Sequence, residues 1–252
     1  MKLKGKVAVI TGAGSGRGMS RGFPEGFAKE GCNLSLNIYG EDAERVAGFV
    51  RELEACGVRV VVTPGDISEE NVVKQLAENT MREFGRVDIL LNNAGITDPM
   101  PITQMTSADW DRMMAVNLRS QFLTCKYFVP YMIQQRSGRI INISSQIAQK
   151  GGTDHCHYAA AKAGVIGMTK ALAWDLGKYG ITCNCIAPGP IDTQMMDSVS
   201  EEWRVRKKAD LALPRFGRID EVVPSAIFLA SEPDGDLYTG QTLGPNSGDV
   251  ML

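Results

Sequence analysis

Tyr158 and Lys162 stand four residues apart in the run YAAAK, inside a stretch rich in helix-forming residues. Two side chains at that spacing share one helix face, so a phenol and an ammonium can project into one site. A free tyrosine titrates near ~10, and acid/base work at neutral pH needs that lowered by roughly two to three units. A neighbouring cation supplies roughly one to three of them. Taken alone, the pair also reads as an ordinary solvent-facing Tyr/Lys pair. Ser144-Ser145 closes the apolar run at 138–144, and a hydroxyl there can hold an oxygen whose charge changes during reaction. Asn92-Asn93-Ala94-Gly95 closes another apolar run, and Asn117 falls within a long helical stretch, where a buried amide needs partners.

A second group of residues points to a phosphate. Thr11-Gly12-Ala13-Gly14-Ser15-Gly16-Arg17-Gly18 follows directly on the apolar run KVAVIT at 6–11. Glycines in that position let backbone approach a pyrophosphate at a helix N-terminus. Methyltransferases and flavoproteins use similar turns, and a tight strand-to-helix turn needs no ligand at all. The second apolar run ends Leu36-Asn37-Ile38-Tyr39, without an acidic residue to hold an adenosine 2′-hydroxyl. Asp66, after the third run, is a candidate for the adenine edge or for a plain helix-entry turn.

These residues need strands and helices to position them. Apolar, β-rich runs at 6–11, 33–38, 59–63, 87–92, 138–144, 181–187 and 241–243 read as strands. They are continuous rather than alternating, as suits a parallel sheet covered on both faces. Amphipathic stretches at 41–56, 69–84, 107–135, 158–179 and 220–230 lie between them, with Ser68 and Thr106 placed to cap two of these helices. Strand alternating with helix predicts an α/β, doubly wound parallel sheet in a single domain over residues 1–252.

Composition removes other classes. The 252 residues are 44% hydrophobic and 22% charged, with a net charge of −2, which gives no basic surface for nucleic acid. Six scattered cysteines form no CxxC pair, and with only two histidines no metal site is expected. The opening MKLKGK lacks an apolar leader and no run reaches membrane-spanning length, so a cytoplasmic protein without a membrane partner is expected.

The sequence resembles a classical short-chain dehydrogenase/reductase over essentially its whole length. The resemblance rests on TGAGSGRG at 11–18, Asp66, NNAG at 92–95, Asn117, Ser145, YAAAK at 158–162 and PGPIDT at 188–193. It implies a Rossmann-type sheet of about seven strands and an NAD(P)-dependent oxidoreductase moving hydride between nicotinamide and an alcohol or ketone. It also implies a catalytic set of Asn117, Ser145, Tyr158 and Lys162. Tyr158 would be the general acid/base, Ser145 would steady the substrate oxygen, Lys162 would bind the nicotinamide ribose and lower the phenol pKa, and Asn117 would hold a water. Ser145 is preferred to Ser144 because it lies at the family's spacing from the tyrosine. The cofactor would lie against Gly12, Ser15, Gly16, Arg17, Gly18, Asn37, Asp66, Ile67, Asn93, Ala94, Gly95, Pro188, Gly189, Ile191 and Thr193, besides Tyr158 and Lys162. A homotetramer through the long helices and the C-terminal segment is implied as well.

The chain departs from the family in the glycine-rich loop, which is about two residues longer. One alignment keeps Gly12, Gly16 and Gly18 as the family's three glycines and puts the extra pair inside the helix. The other puts it in the loop, with Ser20 at the last glycine and Arg17 where NADP-preferring members carry a base. A loop absorbs two residues more readily than a helix, and Pro24 tolerates only a first turn, so the late helix start and NADP are favoured over NAD. Residues at about 190–216 should form a lid over the substrate. Ser145, Gln146, His155, Gln194 and Met195 are candidates to touch a 3-oxoacyl, hydroxy-acid or sugar-like substrate, and His157 could reach the same pocket. The basic run 204–208 would greet an anionic substrate or form a solvated helix face. A catalytically silent NAD(P)-binding regulator on the same fold is the alternative, but such a protein has no use for a tyrosine acid/base.

Overall fold

In the computed structural model, which describes residues 1–197 and 199–251, the apolar runs form seven strands. They are β1 (Val7–Ala13), β2 (Asn33–Ile38), β3 (Val60–Pro64), β4 (Ile89–Asn92), β5 (Gly138–Ile143), β6 (Ile181–Ile186) and β7 (Thr242–Leu243). They make one parallel sheet in the order β3-β2-β1-β4-β5-β6-β7. The order reverses between β1 and β4, and in such sheets the crevice above the carboxyl ends at that point takes the ligand.

Alternation along each strand splits the core into two layers. Ala8, Ile10, Leu91, Ile141 and Ile143 face α1 (Met19–Lys29), α2 (Ala43–Glu54) and α9 (Ile219–Ala230), packing with Phe23, Phe27, Phe49, Leu53, Val222 and Leu229. Val9, Leu90, Ile140 and Cys183 face the opposite way. They pack under α3 (Glu70–Phe84), α5 (Ser120–Gln135) and α7 (Cys156–Leu176), with Leu76, Leu123, Phe128 and Leu176. Both faces are therefore covered, which is why the strands read as continuous apolar runs. Cys32, Cys125, Cys183 and Cys185 are buried as small apolar side chains.

Three expectations change. The single helix expected over 107–135 is divided into α4 (Ser107–Met114), a π-helical turn (Ala115–Arg119) and α5. Apolar periodicity does not register one wide turn, but that turn holds Asn117, and such turns recur at functional sites. Ser68 does not cap α3. Its hydroxyl donates to the Asp66 carboxylate instead, whereas Thr106 does cap α4, in a reciprocal box with Asp109. Helices outside the five amphipathic stretches are α1, expected after the glycine-rich turn, the short α6 (Ile147–Lys150), and α8 (Glu201–Ala209) within the expected lid. Among the described residues no helix is long and apolar enough to cross a membrane.

Candidate active site

The carboxyl ends of β1, β4, β5 and β6 and the first turns of α7 surround one crevice. Four buried polar side chains fasten its walls to one another. Thr124 of α5 donates to the Asn92 amide oxygen (2.6 Å), and Asn92 donates across the β4–β5 pair to Asn142 (2.8 Å). Asn142 donates to Thr169 of α7 (2.9 Å). Each group in that series is satisfied, so the elements carrying the candidate site hold a single relative placement.

Beyond β5 the two serines separate in role. The Ser144 hydroxyl donates to the Lys162 carbonyl (2.8 Å) and is spent on the helix. The Ser145 hydroxyl donates to the Gln146 side-chain oxygen (3.1 Å), accepts from the Ile147 N–H (3.2 Å) and lies near enough to the Tyr158 phenol to lower its pKa. Lys162 is 2% exposed, and among the described residues its ammonium makes one hydrogen bond, to the Ile143 carbonyl (2.9 Å). Nζ lies 5.9 Å from the centroid of the Tyr158 ring. Burial pushes the lysine pKa down to about 8 and raises that of Tyr158, while the Ser145 hydrogen bond lowers the phenol. An ammonium with three donors and a single protein acceptor keeps two protons for a ligand.

Asn117 sits completely buried behind this pair. It donates to the carbonyls of Ile96 (3.0 Å) and Met113 (3.2 Å), and its Oδ1 accepts from the Ile96 N–H (3.2 Å). The side chain thereby ties the π-helical turn to the segment that follows Asn93-Ala94-Gly95.

The glycine-rich loop forms the other wall. The Thr11 hydroxyl accepts from the N–H groups of Asn93 (3.1 Å) and Ala94 (3.2 Å). Asn93 donates back to the Thr11 and Gly12 carbonyls. Gly12 has φ +63°, and a Cβ there would lie 2.6 Å from the Ala94 Cα, so only glycine allows the two segments to touch. Helix α1 begins at Met19, after Gly18 at φ +126°, so the extra pair lies in the loop rather than in the helix. Two features of this wall fit a dinucleotide: that close backbone approach, and the Asn93 Oδ1, which is buried with no hydrogen-bond partner among the described residues.

Several expected cofactor contacts are engaged elsewhere. The Asn37 amide donates to the carbonyls of Thr63 (3.3 Å) and Gly65 (2.9 Å) and accepts from the Gly12 N–H, so it joins strand ends and does not face the crevice. Asp66 pairs with Arg112 (2.8 Å) and takes both Ser68 donors, with Ile67 buried beside it. Arg17 reaches across to the lid, donating to the Thr193 carbonyl (3.4 Å) and the Asp197 carboxylate (2.5 Å). It therefore spans from loop to lid. Gln194 lies over Gly16 and Thr193 over Gly18, which extends that contact.

Pro188 accepts from the Gln146 N–H, and Gly189 donates to the Pro245 carbonyl. Ile191 bridges to Gly217, which fixes the path of the 188–193 segment over the sheet edge. His155 is half-buried, its ring edge-on to Tyr158 at 6.0 Å. His157 departs from expectation. It is buried, and its Nδ1 accepts the Tyr158 N–H (3.0 Å), so it braces the first turn of α7 rather than the pocket mouth. The Met195 side chain lies outside the described residues. In the basic run, Lys207 turns inward to Asp249 (2.6 Å) and Arg204 bonds the Val199 carbonyl, while Arg206 stays exposed.

Two groups of site residues escaped the sequence reading. Glu41 projects into the glycine-rich loop and accepts the Ser15 N–H (2.8 Å). It is the first carboxylate after β2, three residues past the strand, and looking one turn further would have found it. Asp249 joins Lys150 of α6 to Lys207 of α8, and no sequence pattern marks that contact.

The family model described as short chain dehydrogenase matches residues 6–204. A 3-oxoacyl-(acyl-carrier-protein) reductase from Thermotoga maritima is 38% identical over 252 residues, covering 100% of both chains. A hydroxy(phenyl)methylsuccinyl-CoA dehydrogenase subunit from Thauera aromatica is 38% identical over 243 residues, covering 96% of each. Among solved structures, a double mutant of a Serratia marcescens short-chain dehydrogenase/reductase superposes with a TM-score of 0.91 at 30% identity, covering 99% of both chains.

Proposed function

The chain belongs to the short-chain dehydrogenase family, and on that premise we propose that it interconverts a 3-oxoacyl and a 3-hydroxyacyl thioester, with Tyr158 as the acid/base. The class is an NAD(P)-dependent oxidoreductase acting on CH–OH and C=O groups. The thioester rests on likeness to two relatives whose names carry an acyl-carrier protein and a coenzyme A ester. The exposed Arg206 on α8 would meet the anionic carrier.

The observation that carries the catalytic reading is the meeting of buried Ser145 and Lys162 with half-buried Tyr158 in one corner. When bound, the nicotinamide supplies or accepts the hydride. The Tyr158 oxygen gives its proton to the substrate oxygen during reduction and takes it back during oxidation. Ser145 donates to that same oxygen and holds it against the phenol. Lys162, with its Nζ 5.9 Å from the ring centroid, places a positive charge beside the phenol and offers its free protons to ribose hydroxyls. Asn117 is a positioning residue that fixes Ile96 and, through it, the 92–95 loop. Thr11, Gly12 and Asn93 form the phosphate-side wall, and the 188–193 segment closes the nicotinamide side.

Self-association into a homotetramer in the cytoplasm completes the proposal. Its physical support is unpartnered apolar surface on the two helices named for the interface, Phe122 on α5 (51% exposed) and Trp174 on α7 (89%).

The test is reduction of acetoacetyl-CoA with each reduced cofactor. Wild type turns over, and Tyr158→Phe loses about 10²- to 10⁴-fold in kcat while still binding cofactor. Full activity in Tyr158→Phe would remove the mechanism. Cofactor binding without turnover of any carbonyl compound in wild type would favour the silent regulator.

A further inference from the structure

The carboxyl ends of β1 and β2 meet at a contact that the catalytic reading leaves unused. Glu41, just past β2, accepts the Ser15 N–H with Oε1 at 2.8 Å. Gly14 makes room for it: a Cβ at that position would overlap the same oxygen. Gly14 and Ser15 lie in the glycine-rich loop, so that loop's backbone receives a carboxylate from its own chain. The other oxygen, Oε2, is buried with no hydrogen-bond partner among the described residues.

Arg51 lines the same groove as Glu41, while the other cations near this contact, Arg17 and Arg21, are paired. Glu41 makes no ion pair among the described residues. Arg21 reaches the Ser15 carbonyl, but Glu25 and Glu52 both neutralise it. Arg17 is directed to Asp197 on the lid. In a dinucleotide crevice the carboxyl end of the second strand stands beside the adenosine ribose, where a carboxylate accepts from a ribose hydroxyl, and Glu41 lies three residues past that end.

We propose that Glu41 sets cofactor choice in this protein, offering its unpartnered oxygen to a free 2′-hydroxyl and repelling a 2′-phosphate, so that the protein takes NAD(H). This rests on the dinucleotide reading above and reverses the preference that Arg17 suggested from sequence. The basic side chain expected to meet the phosphate is paired with the lid, and the Glu41 carboxylate stands against the glycine-rich loop.

ADP-ribose and its 2′-phosphorylated form isolate the adenosine end, and isothermal titration of each into wild type, Glu41→Gln, Glu41→Ala and Arg17→Gln tests the assignment. Wild type should bind ADP-ribose about tenfold or more tightly than the 2′-phosphorylated form. Both Glu41 variants should narrow that ratio by about fivefold or more, mainly by tightening the phosphorylated ligand, while Arg17→Gln leaves it within about twofold. Tighter binding of the 2′-phosphorylated form by wild type, or a ratio unmoved in both Glu41 variants, overturns the assignment to Glu41 and leaves the oxidoreductase reading standing. If wild type binds neither ligand, the dinucleotide reading falls with it.

Discussion

Lys162 sits where a charge is costly, with one carbonyl for company. Its pKa is about 8 in the folded chain, against an ordinary lysine value of 10.5. Below pH 8 both folded and unfolded chains carry the proton and the destabilisation is complete. Between 8 and 10.5 the unfolded chain binds more protons, so stability rises with pH across that window and the cost is relieved above it. Lys162→Met should therefore be more stable than wild type at pH 7, by on the order of 3 kcal/mol, while losing activity. Urea unfolding of the two proteins at pH 7 and pH 10 checks this, since the gap should shrink at the higher pH. The Ser145 hydroxyl lowers the Tyr158 pKa. Ser145→Ala should then move the pH at which alcohol oxidation switches on upward, besides reducing kcat, and a kcat/KM profile from pH 6 to 10 reads the shift. The types and spacing of Ser145, Tyr158 and Lys162 were legible in the sequence because one strand end and one helix face place them. Glu41 was not, since its role depends on how far a loop folds back.

The elements are joined by buried polar groups as much as by apolar packing. Asn142 of β5 accepts from Asn92 of β4 and donates to Thr169 of α7, so its loss leaves the Asn92 amide with only a long contact to the Cys125 sulfur, while the Thr169 hydroxyl keeps the Val165 carbonyl. Asn142→Ala should cost about 1–3 kcal/mol for the one stranded donor, as denaturant unfolding would show. Thr169→Val strands the Asn142 donor and should cost a similar amount. The strands were readable to within two residues because burial on both faces leaves an unbroken apolar run. The helix through 107–135 was readable in extent but not in form. A π-helical turn keeps the apolar composition while rotating Asn117 towards Ile96 and Met113, and only the tertiary contacts reveal that rotation. Thr106 was recognisable as a cap from its pairing with Asp109, whereas Ser68 was claimed by Asp66.

At the scale of the whole molecule, the exposed indole of Trp174 is the feature that a lone chain leaves unexplained. If α5 and α7 pair between copies, Trp174→Glu should reduce the mass in sedimentation velocity from four chains towards one or two, with the far-ultraviolet spectrum unchanged. A mass of one chain for wild type would refute the assembly.

The position of β1 also bears on how the chain is made. β1 pairs with β2 on one side and with β4 on the other, so its second edge has no partner until residues 89–92 have been synthesised. On the ribosome, β1, β2 and β3 can assemble as each emerges, leaving Ala8, Val9 and Ile10 as an open, apolar margin in the meantime. A nascent chain stalled before residue 89 carries that margin uncovered and is the form most exposed to wrong pairing with its neighbours on a polysome. The synthesis of residues 64–92 is thus the interval in which that margin of β1 stays uncovered.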